Sequence, residues 1–545
     1  MRDRTVSMHD LLWAIGLVVA AWKFALPLEQ WLDLATFDEA EYLRHGRTLQ
    51  WVAVPDLHPA WSPLYIIWYR ALAVWQVQPV ALYDTNWRVL GALLPVALYA
   101  LLRHHRVGPT AAGMAAWFFL VSEANWLQAT RVGAFAVGLL AGAWLLARQA
   151  RASFARAWIL AFLLLGPVAY ARPEFFFAGW LMVGWALVAT WRARGWAEVL
   201  RHKGVWAAAV LTMALGALWG PAWDPERSMF AFGQHYAYNR ASCLKLPPRG
   251  ATWEDEVHLD FGTASTPWQA LLANPQAFAL HVGCNLVYTA KLGRVMLRTA
   301  LFPFIPSRVV IALAVLMLLG AWLLYVYRTQ PDAWQICRQR WWRGDPGLMW
   351  LLVLLPLLAS LWLVYSRKSH YLQMTAFWLY VPLVSCLAPL RERVSWRRSG
   401  LAVATLLLLT PTIAGFTPWY RQPPPLYNRA TVYALESLPW RADLPEIRLN
   451  GTRPVAHYFL IYYLSDPRFV EVPYAPEQGF LTYIQQRKPD AIVVHLPNFH
   501  GDASWQAFVE HPEEYGFQAR FILDQRRVLF IRTAALDPQR PRPER

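Results

Sequence analysis

Long apolar runs separated by short basic joints constrain the fold of this chain more than any other feature. Most of the runs approach the roughly 20 residues that an α-helix needs to cross a bilayer. Alternate joints are rich in Arg and Lys, as expected for loops that stay in the cytoplasm. Of the 545 residues, 57% are hydrophobic and only 16% are charged. The pattern therefore predicts an all-α polytopic membrane protein.

The alternation of apolar runs and basic joints predicts about eleven spans, with the N-terminus in the cytoplasm. Two long loops, 29–85 and 223–305, are expected on the outer side of the membrane. No clear small-residue cleavage site follows the short N-terminal segment, which favours a retained signal anchor over a removed signal peptide. Spans are predicted at about 11–28, 86–102, 110–122, 132–147, 205–222, 307–327 and 401–418.

The composition changes near residue 420, where prolines cluster and the apolar runs become short. Strands are predicted at 446–449 and 490–494, helices at 456–464 and 480–487, and a hairpin at 517–524 and 527–532. These elements predict a small extracytoplasmic α/β domain over 420–535, after a membrane domain over 1–419. The Pro- and Arg-rich tail, 536–545, is expected to be disordered.

The charge and the cysteines exclude some classes of protein. The net charge of +16 comes from 51 basic and 35 acidic residues, but the basic residues lie in the joints and form no single patch, so nucleic-acid binding is not predicted. The four cysteines form no CxxC pair, which argues against a zinc or redox motif. Cys243 and Cys284 share the second long loop, where a disulfide and two free thiols are equal alternatives.

An acidic cluster directly follows the first predicted span. Its carboxylates belong to Asp38, Glu39 and Glu41. A carboxylate at a membrane surface is well placed to accept a proton from an incoming nucleophile. The alternative is a solvated acidic loop.

Further polar residues are predicted at the same membrane face. Cations there would bind phosphate oxygens and stabilise the charge that develops on a leaving group. Carboxylates and cations together suit an anionic lipid headgroup and a hydroxyl or amine acceptor. The residues expected to bind the substrate are Glu41, Tyr42, His58, Glu123, Arg131, Arg172, Arg367, Lys368, His370 and Tyr371.

Each of these residues also has a structural interpretation. Arg367 and Lys368 could be interfacial anchors, and Glu123 and Arg131 could pair across a turn. Arg172 lies beside a proline, and its role could be limited to anchoring a helix hairpin. His58 could be an ordinary polar loop residue.

The arrangement of a first span, Asp38-Glu39-Ala40-Glu41-Tyr42 and then His-Pro-Ala-Trp-Ser-Pro-Leu-Tyr from His58 is similar to the GT-C glycosyltransferases. The protein O-mannosyltransferase and aminoarabinose transferase branches are the most similar. The resemblance is specific over about 30–70 and architectural to about 420. It implies a multispanning bundle with an outer catalytic cavity, a polyprenyl-phosphate sugar donor, and Asp38 as the base with Glu39 as its motif partner.

The chain departs from the family pattern in two places. The element that begins at His58 is longer than the compact His-Pro-Pro form of many relatives, which leaves the role of His58 open. Some relatives hold a divalent metal on several acidic motifs, whereas the outer turn after the predicted span 110–122 offers a lone Glu123. A mechanism without metal or other cofactor is therefore favoured, with a divalent metal as the alternative. The segment Arg367–Tyr371 resembles a basic and Tyr-containing segment that meets the donor phosphate in relatives.

These observations predict a glycosyltransferase of a bacterial inner membrane, with its C-terminal domain outside the cytoplasm. It would transfer a sugar from polyprenyl phosphate to a lipid, glycan or protein acceptor at the outer face. One alternative is a transporter or flippase of lipid-linked sugars, although the inverted repeats and midplane charges typical of transporters are not evident. Another is a non-catalytic subunit of cell-envelope assembly.

Overall fold

Helices dominate the described structure, with a five-stranded sheet near the C-terminus. The computed structural model describes residues 7–36, 38–126, 130–247, 249–250, 252–301, 335, 345–364, 369–387, 396–416, 426–450, 458–472, 479–495, 503–522 and 527–539. The chain forms two compact units. The helical unit comprises Met1–Leu26, Gln50–Ile67 and Trp87–Arg421, and the mixed unit comprises Pro27–Leu49, Trp68–Asn86 and Gln422–Arg545.

Long apolar helices occur where the apolar runs predicted them. In the described part of the chain, four helices are long and apolar enough to cross a membrane: Met8–Ala25, Pro79–His104, Ser153–Ala171 and Glu174–Ala193. Other helices of the helical unit are Pro109–Val121, Val132–Ala147, Lys203–Trp219, Asp345–Leu363, Ser369–Leu387 and Trp396–Phe416. This architecture agrees with a polytopic membrane protein, while the count of about eleven spans and their orientation stay predictions.

The helix bounds follow local signals. The helix predicted at 132–147 begins and ends at those residues, whereas the helix predicted at 86–102 begins earlier, at Pro79, because proline is well suited to a first helical turn. The helix Met8–Ala25 begins with a capping box between Ser7 and Asp10. The span predicted at 307–327 lies outside the described residues.

Glycines let the first helix pack closely on its neighbours. A Cβ on Gly16 would overlap Val403 of the helix Trp396–Phe416, and a Cβ on Gly113 would overlap the Trp13 ring. Small residues at helix interfaces allow this close approach in membrane bundles. The first and last predicted spans are therefore direct neighbours within the helical unit.

The predicted second loop, 223–305, is mainly helical in its described part. Its helices are Pro225–Ser242, Trp253–Phe261, Pro267–Ala273 and Pro275–Leu301. Phe232, Tyr236, Phe261 and Phe278 form their shared core. Cys243 and Cys284 form a disulfide, which decides between the two alternatives that the sequence left open.

The sheet of the mixed unit has the order β2-β1-β3-β5-β4. Its strands are β1 Ile447–Asn450, β2 Phe469–Val472, β3 Ala491–His495, β4 Phe517–Ile522 and β5 Arg527–Arg532. β1 is parallel to β2 and β3, whereas β5 is antiparallel to β3 and β4. Helices Phe480–Arg487 and Ala503–Glu510 supply Phe480, Tyr483, Trp505 and Phe508 to its core.

Several C-terminal predictions need correction. Strand β2 and helix Ala503–Glu510 were not predicted, and the helix predicted at 456–464 is described only as a 3-10 segment, Tyr458–Tyr463. The predicted disordered tail begins too early, because Leu536 pairs with Trp440 and the amide of Asp537 donates to the carbonyl of Pro439.

Other helices of the mixed unit lie in the predicted first loop and before the sheet. They are Leu28–Trp31, Asp38–Thr48 and Tyr427–Glu436. Pro63–Leu72 and Pro79–His104 contribute residues to both units. The first-loop segments Pro27–Leu49 and Trp68–Asn86 therefore share one compact unit with the C-terminal residues.

Candidate active site

The acidic cluster forms the first turn of a helix rather than a loop. This helix, which we call the Asp38 helix, runs from Asp38 to Thr48. Its first turn holds Asp38, Glu39 and Glu41, and its last turn holds His45 and Arg47. Negative charge at the N-terminus and positive charge at the C-terminus both interact favourably with the helix dipole. The local sequence therefore favours a helix over these residues.

Glu39 is buried and held by hydrogen bonds. Its side chain is 0% exposed. Tyr69 Oη donates to Glu39 Oε1, and Asn86 Nδ2 donates to the same oxygen at 3.1 Å. Asn86 is fixed in turn, because Trp68 Nε1 donates to its Oδ1 at 2.8 Å. Since a buried carboxylate is costly without such partners, this network fixes the start of the Asp38 helix.

Asp38 has a contrasting environment. Its side chain is half-buried, and its carboxylate has no hydrogen-bond or ion-pair partner within the described residues. Of the two residues predicted to be catalytic, Asp38 is the one with a partly exposed side chain. The burial of Glu39 suits a positioning role. Both assignments stay predictions.

Glu41 and Tyr42 make structural contacts. Glu41 pairs with Arg44 at 3.1 Å and with His45 at 3.4 Å, and Tyr462 Oη donates to it at 3.3 Å. Burial alone would raise the pKa of Glu41, but the His45 hydrogen bond and the Arg44 charge outweigh it and lower that pKa. Tyr42 is buried. A role of either residue in substrate binding stays a prediction.

Arg172 and Tyr371, two predicted site residues far apart in sequence, lie together in the helical unit. Arg172 Nε is 3.4 Å from Glu174 Oε2, and its guanidinium lies 4.5 Å from the centre of the Tyr371 ring. Tyr371 Oη donates to Glu174 Oε1. All three side chains are buried. A cation, a carboxylate and a phenol thus form one polar cluster among apolar helices.

The comparisons with known proteins add one similarity in structure. The chain is similar to the crystal structure of ArnT from Cupriavidus metallidurans bound to undecaprenyl phosphate. The TM-score is 0.48, and the sequence identity is 13% over 98% of each chain. The chain matches no protein-family model and no curated protein sequence.

Arg131 is a second buried cation of the helical unit. Its side chain is 0% exposed. Nη1 donates to the carbonyl of Asn125 at 2.6 Å, and the guanidinium lies 4.4 Å from the centre of the Trp87 ring. Glu123 begins the short helix Glu123–Trp126, but its side chain lies outside what the structure describes, as does the suggested pair with Arg131.

His58 packs against the start of the helix Pro225–Ser242. Its Nδ1 accepts from the amide of Ala60 at 3.3 Å, and its Nε2 lies 3.6 Å from Asp224 Oδ2. Nearby, the Arg227 guanidinium stacks on the Trp61 ring at 3.6 Å. These contacts favour a structural role for His58, and substrate binding by it stays a prediction.

The remaining predicted residues fall at the edge of the described structure. Arg367 and Lys368 lie outside the described residues. His370 belongs to the helix Ser369–Leu387, although its side chain is not described.

Asp38 belongs to the mixed unit, and Arg131, Arg172 and Tyr371 belong to the helical unit. The convergence of all these residues on one cavity stays a prediction.

Among the described residues, no group of three or more His, Cys, Asp or Glu side chains is placed to hold a metal ion. Independence from metal stays a prediction.

Sequence reasoning missed the residues that hold Glu39. Tyr69 and Asn86 lie 30 and 47 positions from it. Tyr69 stands in an apolar stretch and Asn86 lies between Asp84 and Arg88, and neither belongs to the acidic motif. A polar residue on the buried face of an apolar helix is the one signal that could have pointed to them.

Proposed function

We propose that this chain is an integral-membrane glycosyltransferase. It would transfer a sugar from a polyprenyl-phosphate donor to a hydroxyl or amine of a lipid, glycan or protein acceptor at the outer membrane face. The observation that carries the proposal is the contrast between Asp38 and Glu39. Glu39 is buried and hydrogen-bonded, whereas the neighbouring Asp38 is partly exposed and unengaged within the described residues. The two stand in a motif that resembles that of the GT-C enzymes.

In the proposed reaction, Asp38 accepts the proton of the acceptor hydroxyl or amine as the nucleophile attacks the anomeric carbon. The bond between that carbon and the phosphate oxygen breaks, and polyprenyl phosphate leaves. A single displacement inverts the configuration at the anomeric carbon. Proton transfer to a positioned base contributes about 10²-fold to 10⁴-fold to the rate.

Buried cations support the proposal of an anionic donor. Arg131 and Arg172 are buried among helices that resemble membrane spans. Charged residues at membrane depth are costly and usually mark substrate pathways. Guanidinium groups bind phosphate oxygens through charge-assisted hydrogen bonds. Arg131 and Arg172, with Arg367 and Lys368, are therefore proposed to bind the donor phosphate.

The test is a donor-turnover assay with purified protein in lipid nanodiscs. A panel of radiolabelled polyprenyl-phosphate sugars is supplied with cell-envelope extract as acceptor, and the released polyprenyl phosphate is measured. Asp38→Asn is compared with Asp443→Asn, a matched control at an exposed pair with Arg441. The wild type and the control should release polyprenyl phosphate, while Asp38→Asn should lose about 10²-fold or more of the rate.

Two results would contradict the proposal. Full activity of Asp38→Asn would show that Asp38 is not the base. No release from any donor by folded wild-type protein would favour the transporter or the assembly subunit instead.

A further inference from the structure

The residues just before Asp38 are held by side chains that are distant in sequence. Leu32–Ala35 is a segment outside any helix or strand, and it ends three residues before Asp38. The carbonyl of Leu34 accepts from Asn428 Nδ2 at 2.7 Å, and the carbonyl of Ala35 accepts from Tyr463 Oη at 2.6 Å. All of these residues belong to the mixed unit.

Two further hydrogen bonds from side chains fix this segment. The carbonyl of Leu32 accepts from Arg429 Nε at 3.1 Å, and the carbonyl of Asp33 accepts from Tyr83 Oη at 3.1 Å. Every carbonyl from Leu32 to Ala35 therefore accepts a hydrogen bond from a side chain. Most buried backbone groups are paired within helices and sheets, so a segment paired with side chains depends on those side chains for its position.

Asp33 also caps a C-terminal helix. The Arg429 helix, Tyr427–Glu436, begins after Leu426, which provides no side-chain cap. Asp33 Oδ1 accepts from the amide of Arg429 at 2.7 Å, and Asp33 Oδ2 accepts from the amide of Asn428 at 3.0 Å. A carboxylate at a helix N-terminus accepts hydrogen bonds from unpaired amides and interacts favourably with the helix dipole. Asp33 therefore supplies the cap that the local sequence lacks.

A buried ion pair fixes the same helix from its other side. Arg429 is 2% exposed and Asp84 is 1% exposed. Arg429 Nη2 donates to Asp84 Oδ1 at 2.8 Å, and Nη1 donates to Asp84 Oδ2 at 3.1 Å. Paired bonds of this kind fix orientation as well as distance. Arg429 thus joins Leu32 and Asp84 through one rigid guanidinium.

From these contacts we infer that Asp33 and Arg429 are positioning residues for the proposed base. The Arg429 helix holds Leu32–Ala35, and this segment sets the position from which the Asp38 helix begins. A base must lie within hydrogen-bond reach of the proton it accepts, and a shift of about 1 Å can cost on the order of 10²-fold in rate. The inference rests on the proposed function and makes the C-terminal residues part of the catalytic apparatus.

A purely structural role predicts a different result. In that case, loss of the contacts would lower the folded fraction, but the folded molecules would keep their kcat. A positioning role predicts that folded molecules lose kcat while the KM for the donor stays unchanged. The two roles therefore differ in how kcat and KM respond.

The test uses Asp33→Asn and Arg429→Met in the full chain, in nanodiscs. Arg429→Met leaves Asp84 buried without its cation and could prevent folding. Asp33→Asn is milder, because the amide oxygen still accepts a hydrogen bond. Arg441→Met is the matched control, since it breaks an exposed pair with Asp443 in the same unit.

Two quantities are measured for each variant. Turnover of the donor panel should show kcat reduced on the order of 10-fold to 100-fold for Asp33→Asn, with unchanged donor KM and no change in the control. Hydrogen–deuterium exchange over 32–44 should rise in both test variants and stay unchanged in Arg441→Met.

Three outcomes would overturn the inference. Wild-type kcat in folded Asp33→Asn would exclude a positioning role. Unchanged exchange over 32–44 would show that Asp33 and Arg429 do not hold the segment. An inactive wild type would overturn the proposed function and the positioning role with it, and the exchange data would then show separately whether the segment is held.

Discussion

At the scale of single residues, adjacent carboxylates occupy different environments because a helix turns about 100° per residue. Glu39 faces Tyr69 and Asn86 in the interior, whereas the side chain of Asp38 is partly exposed. The helix thus gives one acid a fixed position and leaves the other accessible. This arrangement makes a clear prediction about the network that holds Glu39.

Replacing Tyr69 by Phe removes a donor from buried Glu39. Because a hydrogen bond to a charged group contributes about 1.5–3 kcal/mol, we expect the free energy of unfolding to fall by about that amount. The apparent Tm in nanodiscs checks this, with Tyr238→Phe at an exposed site as the matched control. Equal Tm values for Tyr69→Phe and the wild type would show that the hydrogen bond contributes little.

Glu41 makes a prediction about pH. Its pKa is lowered, although burial opposes the effect, because of the His45 hydrogen bond and the Arg44 charge. A lowered carboxyl pKa stabilises the fold above the ordinary value and ceases to do so as the pH falls through the lowered value. The Tm difference between wild type and Glu41→Gln should be full at neutral pH and shrink as the pH falls through the acid range in which Glu41 becomes protonated. A difference that is independent of pH would contradict this.

The sequence singled out Asp38 as the proposed base because an acidic motif follows an apolar run. It did not show that Glu39 is buried, since its partners are 30 and 47 positions away. Arg429 was missed for the same reason: its contacts with Asp84 and Leu32 cross more than 300 positions. Tertiary contacts of this range leave no pattern in neighbouring residues.

At the scale of elements, apolar length predicted most of the long helices, whereas some short elements were missed. Strand β2 was not predicted, although the equally short β1 was. The Arg429 helix follows three prolines and has no local cap, so the usual start signal is lacking. Its cap, Asp33, comes from another part of the chain.

The disulfide makes a prediction about the helices of the second loop. Cys243 and Cys284 are separated by 41 positions. A loop of this length corresponds to about 4 kcal/mol of stabilisation in the chain-entropy model. The variant Cys243→Ser/Cys284→Ser should therefore show a lower Tm than the wild type under non-reducing conditions.

Thiol labelling tests the disulfide between Cys243 and Cys284 directly. In a Cys337→Ser/Cys386→Ser background, maleimide should label the denatured chain only after reduction. Labelling before reduction would contradict the disulfide.

At the scale of the whole molecule, the compact units do not follow the order of the sequence. Sequence composition placed a boundary near residue 420, but the C-terminal residues share a unit with Pro27–Leu49 and Trp68–Asn86. Composition changes along the chain and cannot show which distant segments pack together. The isolated C-terminal region should therefore lack part of the compact unit to which it belongs.

A fragment of residues 420–545 tests this. The sheet has its own core, which includes Phe480, Phe508 and Phe530, and should keep slow amide exchange in β3 and β5. The Arg429 helix should exchange rapidly, because Asp33 and Asp84 are missing. Slow exchange of the amides of Asn428 and Arg429 in the fragment would show that this helix needs neither residue.

The central claim is that Asp38 is the base of a glycosyl transfer from a polyprenyl-phosphate donor. The most direct measurement compares wild type and Asp38→Asn in nanodiscs for both donor binding and release of polyprenyl phosphate. The account predicts that the variant still binds the donor but releases polyprenyl phosphate about 10²-fold or more slowly. Release by Asp38→Asn at the wild-type rate would contradict it.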